Sequence, residues 1–166
     1  MKRELDVAVE AARAAGALLR QRPAHVDHKG IIDLVTEIDL ASEHRIREVL
    51  AGLTPDIPVM GEETGGATDG VRWVVDPLDG TTNFVHDYPA YTVSIGLCDG
   101  PDPLVGVIYD PIRDRMFAAA RGRGTTLGDA PVRVSSTSTL IAALGVTGFP
   151  YGVRDDVVFY LRFVEA

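Results

Sequence analysis

The sequence predicts an α+β domain in which helices come first and a mostly antiparallel sheet follows. Three observations predict it. Two segments near the start carry apolar residues at helical spacing. From Pro58 onward, short apolar runs alternate with turn chemistry such as Asp99-Gly100-Pro101-Asp102 and Asp110-Pro111. The chain of 166 residues is 46% hydrophobic and 24% charged, which suits one ordinary globular core. Helices followed by hairpin-linked strands argue for a layered architecture, with residues 1–166 forming a single domain. No internal repeat or low-complexity segment interrupts it.

The first helix is expected over residues 3 to about 22, where Leu5, Ala8, Val9, Ala12, Ala15, Leu18 and Leu19 recur at helical spacing before Pro23. A polar link, Ala24 to Gly30, leads to a short extended piece from Ile31 that turns into a second helix. Thr36 is its N-cap candidate, with Asp39 in the capping-box position. Ile38, Ala41, Ile46, Val49 and Leu50 make this helix amphipathic, and Gly52 is expected to stop it.

Val59-Met60 then runs into Gly61-Glu62-Glu63, followed by a flexible Gly-rich loop from Thr64 to Gly70. Trp73 to Val75 reads as a buried strand, Thr92 to Cys98 as another, and Leu104 to Tyr109 as a third. Arg115 to Ala120 follows. Gly122 to Gly124, Gly128-Asp129 and Val132 to Val134 continue the antiparallel meander. From Asp155 the chain begins like a helix with acids in its first turn. Val157, Val158, Phe159, Leu161, Phe163 and Val164 on it would need covering, which suggests that the natural chain continues beyond Ala166.

Composition excludes some functions. With 24 acidic against 16 basic residues and a formal charge of −8, the surface does not suit coating nucleic acid. No stretch approaches the length needed to span a membrane, and the N-terminus lacks a continuous apolar signal core. The single cysteine, Cys98, cannot form an intramolecular disulfide and reads as a small buried apolar side chain. A reducing, cytoplasmic setting fits.

The most informative segment is Trp73 to Asn83. A buried strand delivers Asp76, Pro77 fixes a turn, and the spacing Asp76-x-x-Asp79 brings two carboxylates toward one point. Gly80 lets the backbone approach a ligand. Thr81, Thr82 and Asn83 suit a helix N-terminus, whose amides would face that same point. With Glu62 from a neighbouring strand end, Asp76 and Asp79 make a set of three carboxylates suited to magnesium. The Leu78 carbonyl can face inward as a neutral ligand.

Taken alone, Asp76 and Asp79 would be turn-forming and helix-capping acids; the company of Gly80-Thr81-Thr82 and Gly61-Glu62-Glu63 favours the metal. No Cys/His cluster has zinc-ligand spacing. His25, His28, His44 and His86 lie scattered in polar contexts and read as surface residues. Two metals about 3.5–4 Å apart can activate one water and stabilise a leaving alkoxide in phosphoryl transfer. Thr81 is placed to touch a metal-bound water and the phosphate. Asp39 either accepts a hydrogen bond from Thr81, orienting that water, or simply caps its helix, and spacing leaves both roles open.

The segments Asp33 to Asp39, Gly61 to Glu63, Trp73 to His86, Val93 to Leu97 and Thr147 to Tyr151 resemble, in the right order, the inositol monophosphatase family. The resemblance implies a magnesium-dependent, often lithium-sensitive phosphomonoesterase with the layered α/β sandwich of the sugar phosphatases, commonly a homodimer. By position it implies metal ligation by Glu62, Asp76, the Leu78 carbonyl and Asp79. Substrate phosphate falls on Gly80 and Thr81, beside Glu62, Leu78 and Asp79, and water activation on Glu62 with the catalytic pair Thr81 and Asp39. Glu63 is implied to support the loop.

Within the superfamily, bisphosphate nucleotidases usually show Thr-Lys-Gly and one type of fructose bisphosphatase Ser-Ser-Asn where this chain has Thr81-Thr82-Asn83, which matches the inositol monophosphatase type. The same pattern also occurs in histidinol-phosphate and fructose-1,6-bisphosphate phosphatases. The family's later Trp-Asp-x-Ala motif, whose aspartate completes the second metal site, has no counterpart before Ala166, so the C-terminal part of the fold is expected to be missing. The expected function is hydrolysis of inositol monophosphate, or a related small phosphate ester, by metal-activated water. The alternatives are an inactive metal- and phosphate-binding fragment and a structural domain with capping acids.

Overall fold

The computed structural model describes residues 1–21, 26–28, 34–146 and 157–165. Pro23, the Ala24–Gly30 link apart from strand residues 26–28, Ile31 to Asp33, Thr147 to Tyr151, Asp155 and Ala166 lie outside the described residues.

Helix α1 (Lys2–Gly16) buries Val7, Ala8, Ala11, Ala12, Ala15 and Gly16. These small residues bring its axis close to the sheet. A Cβ on Gly16 would collide with the Tyr109 ring, so the glycine sets the closest approach. The α-helix ends earlier than its apolar spacing predicts: Leu18–Arg20 is a tighter 3₁₀ turn that inserts Leu19 into the core.

Strands β1 (Val26–His28) and β2 (Leu34–Thr36) form an antiparallel pair, and helix α2 (Glu37–Leu53) follows directly. Its start is the predicted capping box. The Thr36 hydroxyl accepts from the amides of Ile38 (3.2 Å) and Asp39 (3.4 Å), while Asp39 Oδ2 accepts from the Thr36 amide (2.8 Å). Gly52 does not stop the helix. The end is set one step later by Thr54, whose amide and hydroxyl both donate to the Leu50 carbonyl, at 2.7 and 2.8 Å. The Thr54 hydroxyl in turn accepts from Trp73 Nε1 (3.0 Å), so the helix end is anchored to the sheet. Arg3 of α1 donates to the Leu53 carbonyl (2.9 Å), where a cation meets the negative end of the helix dipole. The buried stripe of α2 is Ile38, Asp39, Ser42, Glu43, Ile46 and Leu50. Ala41 is exposed instead, being out of phase with that stripe.

Eight strands build the main sheet: β3 (Val59–Gly61), β4 (Gly65–Gly66), β5 (Val71–Asp79), β6 (Thr92–Asp99), β7 (Asp102–Asp110), β8 (Arg115–Ala120), β9 (Gly124–Leu127) and β10 (Ala130–Val132). Their order is β10-β9-β8-β7-β6-β5-β3-β4, and every neighbouring pair is antiparallel except β3–β5. The Gly-rich stretch expected as a flexible loop thus includes an edge strand, because Gly65 and Gly66 pair with Gly61 and Met60. The meander closes at Val132, short of Val134, which is almost wholly exposed.

Helices α1 and α2 pack on one another and on the same sheet face, α1 against β6, β7 and β8, α2 against β5 and β3. That face carries Trp73, Val75, Val93, Ile95, Leu97, Val105, Val107, Tyr109 and Met116, all buried. The alternate residues Val74, Ile108 and Phe117 are exposed, as the two-residue period of a strand requires. Cys98 falls on this second face and is half-buried rather than buried. Helix α3 (Thr81–Val85) follows β5, and α4 (Val157–Glu165) leaves Val157, Val158, Phe159 and Leu161 exposed. Among the described residues no helix is long and apolar enough to cross a membrane.

Candidate functional site

The one parallel pairing in the sheet creates the site. In an antiparallel pair the ends of neighbouring strands point opposite ways, but β3 and β5 run together with Gly61 opposite Val75. The next residue on each strand is therefore Glu62 and Asp76. The Glu62 amide donates to the Val75 carbonyl (3.0 Å), holding the two chain ends in that register. Strand β5 is then irregular between Asp76 and Asp79. Asp76 Oδ1 accepts from the Leu78 amide (3.1 Å), an Asx turn that folds Asp79 back beside it.

The electrostatics record the crowding. Asp76 is pushed up to about 7, first by burial, then by the charge of Glu62 and a hydrogen bond to its carboxyl, and further by the charge of Asp79; the Leu78 amide acts the other way. Asp76 thus has two acidic neighbours, Glu62 hydrogen-bonded to it and Asp79 close enough to repel it, and a divalent cation is the chemistry that relieves such repulsion. Oxygen donors of this kind suit magnesium. Among the described residues no group of three or more acid, imidazole or thiol side chains is placed to hold a metal ion. The group formed by Glu62, Asp76 and Asp79 lies at the ends of the paired strands β3 and β5. Its donors fit a hard cation that keeps water or substrate oxygens on the other side.

Asp39, Leu78 and Thr81 form the second half. Asp39 is fully buried at the start of α2 and faces α3. Thr81 Oγ1 lies 3.0 Å from Asp39 Oδ1 and 3.1 Å from the Leu78 carbonyl oxygen. One Asp39 carboxylate oxygen serves the capping box, and the other lies within hydrogen-bond reach of the Thr81 hydroxyl. The Leu78 carbonyl oxygen is the other acceptor within reach of that one hydroxyl proton.

Gly80 starts α3 at φ 102°, a left-handed conformation that favours glycine. A Cβ there would stand 3.0 Å from the Ala90 carbonyl oxygen and 3.2 Å from the Tyr91 Cβ. Gly80→Ala is expected to lower stability by about 2 kcal/mol through left-handed strain and this crowding; a urea midpoint unchanged from the parent would contradict it. The amides of the first helical turn have no acceptor within their own helix. The Asn83 side chain turns instead to the Ala90 carbonyl (2.7 Å), pinning the 88–91 loop behind the helix.

Of the histidines, His44 and His86 are exposed, His44 lying 3.7 Å from Glu48. His25 and the side chain of His28 are outside the description.

One group escaped sequence reasoning. Glu43 is fully buried on α2, one turn after Asp39. Burial alone would raise its carboxyl, but the Thr64 hydroxyl, Arg47 and the Glu63 amide outweigh that and hold it below the usual carboxylate range. Its signal in the sequence is phase: Asp39, Glu43, Ile46 and Leu50 share one helical face, and a charge on that face needs a partner.

A family model described as "Inositol monophosphatase family" matches residues 1–164. The chain is similar to "Inositol monophosphatase 2" of Solanum lycopersicum, 47% identical over 157 residues that cover 89% of this chain and 59% of that relative. It is also similar to "Fructose-1,6-bisphosphatase/inositol-1-monophosphatase" of Aquifex aeolicus, 38% identical over 99% of this chain and 65% of the relative. Among solved structures, the inositol monophosphatase from Anabaena (Nostoc) sp. PCC 7120 superposes with a TM-score of 0.79 at 44% identity, covering 91% of this chain and 57% of that one. The chain spans about three fifths of the length of these relatives.

Proposed function

The chain belongs to the inositol monophosphatase family, and we propose that it carries the metal- and phosphate-binding half of a magnesium-dependent phosphomonoesterase acting on inositol monophosphate or a related sugar-alcohol phosphate. The observation that supports this most is the meeting of Glu62, Asp76 and Asp79 beside the Asp39–Thr81–Leu78 group. Glu62, Asp76, Asp79 and the free lone pair of the Leu78 carbonyl would hold the cation. Magnesium bound there would supply Lewis acidity toward phosphoryl oxygens and a more acidic water.

The chain's own groups set the rest. Thr81 has one hydroxyl proton, committed to Asp39 or to Leu78. Its oxygen is thereby left as an acceptor and orients a water by taking a hydrogen bond from it. Glu62 is the base that receives the proton lost by that water. Gly80 and the first-turn amides of α3 approach the phosphate, whose negative charge suits a helix start.

A second reading is a fructose-1,6-bisphosphate phosphatase, favoured by the printed name of the Aquifex aeolicus relative. Phosphate release from inositol 1-phosphate, histidinol phosphate and fructose 1,6-bisphosphate with and without magnesium decides between them. Calorimetric titration with magnesium, then with inorganic phosphate, tests the binding half by itself. Magnesium-independent phosphate release, or no magnesium binding at all, would refute the proposal.

A further inference from the structure

We propose that Glu43 is a positioning residue that fixes Glu62 in register with Asp76, so that helix α2 sets the geometry of both halves of the site; this rests on the reading of Glu62 as a metal ligand. The turn that carries Glu62 is short, runs from β3 to β4, and leaves the Glu62 side chain exposed. The Glu62 amide is held by the Val75 carbonyl and its carboxyl is hydrogen-bonded to Asp76, while the residues on either side of it are gripped from another element. That grip comes from two side chains of α2. Glu43 accepts from the Glu63 amide (2.7 Å) and from the Thr64 hydroxyl. Arg47 pairs with Glu43 through Nε (2.9 Å), and its other nitrogens donate to the carbonyls of Gly65 (2.5 Å) and Val59 (3.4 Å).

The clamp thus grips the turn before Glu62, at Val59, and after it, at Glu63, Thr64 and Gly65. Gly61 is part of the same fit, since a Cβ there would collide with the Glu43 carboxyl. A buried carboxylate needs its remaining lone pairs satisfied as well as its charge paired, and here the partners that satisfy them belong to this turn. This one also spends both oxygens on the backbone and hydroxyl of the turn.

Asp39 and Glu43 are four residues apart and both buried on the inner face of α2. Asp39 holds Thr81, and Glu43 holds the residues flanking Glu62. A single rigid helix therefore spaces the water-orienting threonine from the carboxylate beside it. Preorganisation of this kind matters because ligands held about 1 Å out of place lose much of their effect.

The test compares Glu43→Gln with the parent chain by manganese binding, read by electron paramagnetic resonance, and by amide hydrogen exchange. Glu43→Gln is expected to weaken manganese at least tenfold and to speed exchange at Glu63 and Thr64. Thr64→Val, which removes only one hydrogen bond, is expected to move both readouts the same way by less, and it decides the matter if Glu43→Gln does not fold. Val107→Ala, on the buried face of β7, is the control for general destabilisation and is expected to leave manganese affinity unchanged. Unchanged affinity and exchange in Glu43→Gln would overturn the proposal, as would equal weakening in Val107→Ala. Failure of the parent chain to bind manganese would overturn the metal reading instead, and exchange at Glu63 would still show whether Glu43 holds the turn.

Discussion

Asp76→Asn is expected to stabilise the metal-free protein at pH 8 while abolishing its response to divalent metal. Asp76 is raised to about 7 by burial and by Glu62 and Asp79. In the unfolded chain it titrates near the ordinary aspartate value of about 4. The folded state therefore keeps the proton over a range in which the unfolded chain has lost it. Stability from this group is fully present below pH 4, falls as pH rises, and is lost once pH passes about 7. The whole displacement corresponds to about 4 kcal/mol, and screening at a half-buried carboxyl reduces this to about 2 kcal/mol.

Asparagine keeps the Asx turn to Leu78 but cannot ionise, so this pH slope should disappear. Scanning calorimetry at pH 5 and pH 8, with and without magnesium, checks both halves. The parent chain should gain thermal stability from magnesium chiefly at pH 8, when Asp76 is ionised. The variant should show a higher metal-free Tm at pH 8 and no gain with magnesium. A magnesium response that survives in Asp76→Asn would sink the assignment of this carboxylate to the metal.

The second large effect is expected at Asp39. Its carboxylate closes the capping box of α2 with one oxygen and accepts from Thr81 with the other, in a fully buried position. Asp39→Asn replaces one acceptor by a donor, so the amide faces either Thr36 or Thr81 wrongly. Losing a charge-assisted bond in the interior costs about 2 kcal/mol, which lowers Tm by about 6 °C in a chain of this size.

If Asp39 also orients water through Thr81, turnover in any active form of the protein falls about 100-fold. Thr81→Val separates the two roles because it leaves the capping box whole. It should lower turnover comparably with a much smaller change in Tm. Asp39→Asn with lowered Tm and unchanged turnover would reduce this residue to a helix cap.

Much of the site was legible because its parts are local. Thr36 and Asp39 make a capping box three residues apart, and Asp76 to Thr81 is a turn whose aspartates, glycine and hydroxyls act within a few residues. The hairpins from Thr92 to Ala120 were legible for the same reason: alternation and turn residues set them without outside help. The misses share the opposite cause. Gly52 lost to Thr54 because Trp73, 19 residues further on, holds the Thr54 hydroxyl. The first helix gives way after Gly16 to a 3₁₀ turn that places Leu19 in the core, a packing demand that spacing along the chain does not record. Gly65 and Gly66 joined the sheet because β3 offered them a free edge.

What the sequence determined alone was therefore the order of the elements, the start of α2 and the conformation of the turn after β5. Each depends on interactions spanning a few residues, where propensity, capping and dihedral freedom decide the outcome. Only the tertiary structure decided that β3 runs parallel to β5, that Glu62 therefore meets Asp76, and that Asp39 reaches Thr81 across 42 positions of chain. Those pairings depend on which faces the packed layers bury, and a buried residue such as Glu43 acquires its meaning only when its partners have been folded around it.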